Sequence, residues 1–237
     1  MIMKASVRIW CVVLGISLTL TNVAAALTYP FTEDFTAGTA NWKNNAQQDL
    51  AQVAAGGPGD SSYVTTDYSF TSATNPQVAI FRGHNGFDSS GDAFVGDWLA
   101  ANVGRLTAYV RHDAPQPLDF FVRVATSNNS PAVSFTLPQP IPAGSWNLLD
   151  FEIGFDNPLH TNEGPPTLAF YNNVLSNVGN VQIGVIVPMS LAENPTAFRY
   201  DLDRVSLVPE PSSGVLALGA VLHGVVSRRR RSRQRAS

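Results

Sequence analysis

The chain has 237 residues, 44% hydrophobic, with 15 Lys+Arg, 18 Asp+Glu and one cysteine. That length is enough for a real hydrophobic core, and one cysteine excludes a disulfide framework. The charge is unevenly placed. Lys4 and Arg8 lie near the start and six arginines near the end, so Leu27–Leu207 keeps seven basic and seventeen acidic residues, a net charge of −10. Such an acidic segment repels nucleic acid and anionic membrane and attracts divalent cations.

In chain order, Met1–Ala26 has the build of a signal peptide: basic Lys4 and Arg8, apolar Ile9–Leu20, and the small residues Ala24-Ala25-Ala26 before Leu27. Cys11 lies inside the apolar part, so removal of this segment leaves a mature chain with no thiol. An exported chain without disulfides is held together by its core or by a metal.

From there, strand signals dominate. Tyr29, Phe31 and Phe35 are spaced by Thr32 and Asp34, and Trp42 follows a turn. Asp49–Ala54 predicts a weak strand ended by Gly56-Gly57-Pro58-Gly59-Asp60, a loop signal. Ser62–Phe70 and Gln77–Arg82 predict strands, and His84–Asp92 a Gly/Asp/Asn/Ser loop. Leu106–Arg111, Leu118–Val124 and Val133–Leu137 alternate with period two. Trp146–Ile153 is a further strand, and Gly154–Pro166 a long polar loop. Pro165–Asn177 has room for one short helix, Val181–Val187 reads as a buried strand, and Phe198–Leu207 as the last one. Ten or eleven short strands with turns every 8–12 residues predict an all-β fold, a jelly-roll-type antiparallel β-sandwich over residues 27–207. In such sandwiches the first and last strands are expected to be neighbours.

Residues 208–237 read Val-Pro-Glu-Pro, an apolar helix over 213–226, and Arg228, Arg229, Arg230, Arg231, Arg233 and Arg235. Fourteen helical residues span about 21 Å, short for a bilayer core. The arginines keep the tail's end cytoplasmic and put the bulk of the protein outside. Pro209 and Pro211 stop the helix from running back into the domain, so the triplet is expected to be an extended, exposed hinge. Pro209-Glu210-Pro211, apolar helix and arginine cluster together resemble the PEP-CTERM sorting signal of Gram-negative bacteria. The resemblance implies an exosortase as partner, a transient stay in the bacterial inner membrane, and release or attachment at the cell surface, in a setting of extracellular polysaccharide and biofilm.

Within the core, Gly56-Gly57-Pro58-Gly59…Tyr63, Phe94–Trp98 and Leu106–Arg111 resemble laminin IV type domains and related galactose-binding-like jelly rolls. That resemblance implies an adhesive or sugar-binding module without catalysis. Carboxylates on the first and last strands also resemble the structural calcium site of carbohydrate-binding modules. The expected pair is Glu33 and Asp203, with Asp34 and Asp201 on the opposite face. Backbone carbonyls would complete the six to eight oxygens that calcium takes.

Gly59-Asp60-Ser61-Ser62 is similar to the nucleophile block of Gly-Asp-Ser hydrolases, but Asp156 and His160 have the wrong spacing to complete a triad, and a turn is expected. The sequence has no His-Glu-x-x-His, Gly-x-Ser-x-Gly or phosphate-binding loop. Sugar-binding candidates are Trp98, Arg82 and His84 around the His84–Asp97 loop, with Trp42 and Trp146 expected in the core. The leading expectation is a non-catalytic surface or matrix protein associated with polysaccharide. The alternatives are a polysaccharide-cleaving glycoside hydrolase or lyase, for which Asp97, Asp119, Asp150 and Glu152 are the carboxylates to watch, and a purely structural surface protein.

Overall fold

The computed structural model describes residues 30–72 and 76–210. The expected signal peptide, Pro211 and the expected helix over 213–226 lie outside these residues. No helix among the described residues is long and apolar enough to cross a membrane.

Twelve strands form two antiparallel sheets of six. The first sheet holds β1 (Phe31–Glu33), β3 (Ala51–Val53), β4 (Tyr63–Ser69), β6 (Val103–His112), β9 (Asn147–Glu152) and β12 (Ala197–Pro209). Its order is β3-β4-β12-β6-β9, with β1 paired to β12. The second sheet runs β10 (His160–Asn162), β8 (Ala132–Thr136), β7 (Asp119–Ala125), β11 (Asn180–Ile186), β5 (Gln77–His84) and β2 (Lys43–Asn44). The jelly-roll-type β-sandwich expected from the alternation is therefore present, and first and last strands are neighbours through Phe31↔Leu207 and Glu33↔Val205.

The inner faces carry the alternating apolar residues. Leu106, Ala108 and Val110 of β6 meet Phe120, Val122 and Val124 of β7 and Val181, Ile183 and Val185 of β11 in one buried cluster. Each large side chain there contributes about 1.5–3 kcal/mol relative to exposure. Two irregularities keep the pattern in phase. In β12 the register shifts between Asp203 and Ser206, with Arg204 in the left-handed region at φ 48°. This bulge turns Val205 and Leu207 inward, where simple alternation from Leu202 would turn them out. In β11 a shift between Ile183 and Gly184 lets β5 approach so closely that a Cβ on Gly184 would sit 2.1 Å from the Val78 carbonyl oxygen.

Sequence alternation missed β2 and β10, which have two and three residues and are too short to show a period. The one α-helix among the described residues, α1 (Leu168–Leu175), falls inside the stretch expected to hold one. Thr167 caps it by accepting from the Phe170 N–H at 3.2 Å. Its buried face, Tyr171, Val174 and Leu175, joins the core. The last strand runs past Leu207 to Pro209, which pairs with Val103. The Glu210 N–H donates to the Asn102 carbonyl at 2.9 Å, and Asn102 Nδ2 donates back to the Glu210 carbonyl at 3.3 Å. The first two residues of the Pro209-Glu210-Pro211 triplet are thus fastened to the sheet rather than hanging as a hinge.

Candidate functional site

The outer face of the second sheet carries an unbroken cross-strand row. Lys43 of β2 lies opposite Arg82 of β5, Arg82 opposite Gln182 of β11, Gln182 opposite Arg123 of β7, Arg123 opposite Ser134 of β8, and Ser134 opposite Thr161 of β10. All six are polar and lie on the face away from the core, with Gln182 and Ser134 buried and Lys43, Arg82, Arg123 and Thr161 partly or fully exposed, in a row about 24 Å long at the usual spacing of strands.

Asn129, in the turn after β7 with φ 63°, is its hub. Its Oδ1 accepts from Arg123 Nη1 (2.8 Å), Asn180 Nδ2 (2.8 Å) and Gln182 Nε2 (2.7 Å), and its carbonyl accepts from Arg123 Nη2 (2.8 Å). Arg123 also makes a two-pronged pair with Glu163, at 2.5 and 2.7 Å. Two groups in this network are left over. Arg82 Nε and Asn180 Oδ1 are buried and have no partner, and Asn180 as a whole is only 1% exposed. Burial, and then the neighbouring positive charge of Arg123, pull the Arg82 guanidinium below its ordinary value.

Of the sequence-predicted ligand residues, Arg82 lies in this row. His84 lies at its edge, opposite Asn180, but both its ring nitrogens are engaged. Nδ1 accepts from the Gly86 N–H at 2.7 Å, so Nε2 carries the hydrogen and donates to the Ser127 carbonyl at 3.0 Å. His84 shapes the loop and has no ring nitrogen to offer a sugar. Trp98 is corrected outright: it is 1% exposed, and its Nε1–H donates to the Phe94 carbonyl at 3.0 Å, so its ring cannot stack on a ligand. Trp42 is a core residue as expected, wedged edge-on against Phe35 and Phe94.

Trp146, expected in the core, lies instead half-buried on the outer face of the first sheet. There the Arg111 guanidinium packs over Trp146 at 4.8 Å and Tyr63 at 5.3 Å. Asp201, almost fully buried, accepts from Arg111 Nε at 2.7 Å and Arg199 Nε at 2.9 Å, and both guanidiniums also donate to the Tyr63 hydroxyl. An open depression beside them, about 350 Å³, is lined by Arg111, His112, Asp113, Gly144, Arg199 and Asp201. Here the charges are matched within the protein.

The carboxylates proposed to share calcium have separate partners. Glu33 turns back along its own chain and accepts from the Phe35 N–H at 2.9 Å. Asp203 is fully buried beneath the Gly56–Ser62 loop, where Oδ2 accepts from Ser61 Oγ at 2.5 Å and Oδ1 from the Arg204 N–H at 2.7 Å. The loop fits so tightly that a Cβ on Gly57 would stand 2.6 Å from Ser61 Oγ and 3.0 Å from Asp203 Oδ2. Burial pushes the Asp203 carboxyl up, and the Asp34 charge adds to this. The nearest cation, Arg204 Nε, is 3.9 Å away. Among the described residues no group of three or more His, Cys, Asp or Glu side chains stands together as a metal site.

Among the remaining carboxylates, Asp150 and Glu152 are two residues apart on the outer face of β9. Asp97 caps a turn by accepting from the Ala100 N–H, Asp150 pairs with Arg105, and Asp119 and Glu152 are exposed. Gly59-Asp60-Ser61 is a turn, with Asp60 at φ 65°. His160 packs among Phe135, Phe155 and Tyr171. Sequence reading missed Gln182, Arg123, Asn129, Asn180 and Glu163. The available signal was a polar residue interrupting each buried run, Arg123 between Val122 and Val124 and Gln182 between Val181 and Ile183.

Topology and faces together define the class: a jelly-roll-type antiparallel β-sandwich with a polar outer face on one sheet. No family model matches the chain, and no curated protein does. Among solved structures it is similar to an exo-β-agarase, at 14% identity and TM-score 0.49, covering 78% of this chain and 25% of that one. It is also similar to the family 11 carbohydrate-binding module of the cellulosomal cellulase Lic26A-Cel5E of Clostridium thermocellum, at 10% identity and TM-score 0.42, covering 76% and 95%. The L4b domain of human laminin α-2 matches at 12% identity and TM-score 0.39, covering 72% and 91%. The chain thus spans about a quarter of the agarase's length.

Proposed function

We propose that this is a non-catalytic, exported surface or matrix protein that binds polysaccharide across the outer face of its second sheet. The observation that carries this reading is the contrast between the two outer faces. On the first sheet, Arg111, Arg199 and Asp201 satisfy one another. On the second, a polar row crosses all six strands, and Arg82 Nε within it and Asn180 Oδ1 beside it are buried without a partner. Buried polar atoms in native proteins are nearly always bonded, and a sugar chain, dense in hydroxyls that both donate and accept, supplies what these lack. A flat, strand-spanning row suits an extended polymer better than a small molecule, which calls for a closed pocket.

Export and sorting rest on the chain's ends: the signal peptide, the Pro209-Glu210-Pro211 triplet and the arginine tail, with an exosortase as the processing partner. Mass spectrometry of the surface-associated protein tests this and is expected to find the arginine tail removed. A mature chain that still ends in Ser237 would overturn processing. A glycan array probed with the full chain in mild detergent tests the binding. Retention of at least one polysaccharide is expected, with loss of signal in Gln182→Ala; a flat response across a broad panel would overturn it. Incubation with the retained polysaccharide is expected to release no new reducing or unsaturated ends, and their steady release would establish the enzyme instead.

A further inference from the structure

The described residues contain seven Lys and Arg side chains. Six have a carboxylate close by: Lys43 has Asp49, Arg105 has Asp150, Arg111 and Arg199 share Asp201, Arg123 has Glu163, and Arg204 has Asp203. Arg82 is the exception. It is half-buried, its Nε is sealed from solvent without an acceptor, and the charge beside it is a second guanidinium, Arg123. This happens in a segment with ten more acids than bases, where a counter-ion is easy to supply. Holding a cation away from water and next to another cation costs stability. A position that bears this cost amid surplus carboxylates is arranged for an anion from outside.

The neighbours fit that role. Gln182 lies directly across from Arg82, with Lys43 on the other side. Asn180 leaves its buried Oδ1 unpaired on the same face. Asn129 and Glu163 hold Arg123 from two sides, so the row has a fixed geometry before any ligand arrives.

We propose that the Lys43–Arg82–Gln182–Arg123 row selects anionic polysaccharide, with the Arg82 guanidinium as the receptor for an acidic group on the sugar and Asn180 Oδ1 as the acceptor for a neighbouring hydroxyl. This deepens the proposed function and rests on it. Carboxylates of uronic acids and sulfate esters share the chemistry, since both offer paired oxygens to the planar guanidinium fork.

The test is affinity electrophoresis or calorimetry of the full chain in mild detergent against four probes: polygalacturonate, its carboxyl-reduced neutral counterpart, a sulfated galactan and unsulfated agarose. At least one anionic polymer is expected to bind at least about tenfold more tightly than its neutral counterpart, with the preference shrinking as salt is raised. Preference within the first pair marks a carboxylate, and within the second a sulfate ester. Arg82→Gln is expected to abolish the preference. It is also expected to leave the melting temperature of the unliganded protein unchanged or raised, whereas a structural arginine would lower it. Arg82→Lys is expected to recover part of the preference, because it restores charge without the fork. Equal binding of charged and neutral polymers, or a preference that survives Arg82→Gln, overturns this inference while leaving polysaccharide binding in place. Binding to none of the four here, with a flat glycan array, removes both.

Discussion

Single side chains on the first sheet set the sharpest expectations for stability. Asp201 bonds two guanidiniums from a nearly solvent-free position, so Asp201→Ala removes the carboxylate that both share. Because Arg111 and Arg199 keep 29% and 45% of their side chains in water, we expect a loss of about 1–2 kcal/mol, read as a lowered urea midpoint with an unchanged m-value. His112 is buried between Phe120 and Tyr200, its Nε2–H donates to the Ile141 carbonyl, and its Nδ1 has no partner. Burial depresses its value below the ordinary 6.5. The unfolded chain then takes up the proton first, so stability falls as pH drops below about 6.5. His112→Gln, which keeps a donor but does not titrate, is expected to flatten that part of the pH–stability curve. Asp203 has the opposite sign. Its raised value means that its contribution to folding is full in acid and is lost as pH rises through its folded-state value. A calcium ion bound to the ionised carboxylate would reverse this. At a hundred times its dissociation constant it is expected to add about 2.7 kcal/mol, an effect that weakens on acidification and vanishes in Asp203→Asn. An unchanged melting temperature would remove the ion from the account. The sequence pointed to Asp203 through its place on the last strand and to Arg82 through its place beside the His84–Asp97 loop. It could not show that Glu33 folds back on Phe35 or that His84 spends both nitrogens on its loop, since both depend on how a turn closes.

Elements were legible in proportion to their length. β6, β7, β8 and β11 show period two and appear where it predicts. Even the β12 bulge left a trace, since the buried residues change parity from Phe198, Tyr200 and Leu202 to Val205 and Leu207. β2 and β10 left none, because they exist only through pairing with β5 and β8. The other irregularity rests on Gly184, and Gly184→Ala is expected to cost about 3 kcal/mol or more, since its Cβ would press on the β5 backbone. Circular dichroism melts of this variant beside Gly154→Ala, where a Cβ meets nothing within 4 Å, separate crowding from a general glycine effect. Equal melting temperatures would refute the crowding argument.

For the whole molecule, the β-sandwich followed from the count and spacing of strands, whereas the polar row did not. A row across six strands is a property of register, and its members, Lys43, Arg82, Gln182, Arg123, Ser134 and Thr161, are scattered over more than a hundred positions. Register also gives the last strand an unusual weight. β12 lies between β4 and β6 and carries β1 as well, so the first sheet has no middle until residues 197–209 arrive. Synthesis delivers β12 after the other five strands of the sheet. Until then β1, the β3–β4 pair and the β6–β9 pair have no strand to join them. Its arrival acts as a closing zip: a chain that stops before Ala197 is expected to be cut by a protease under conditions in which the chain through Pro209 resists.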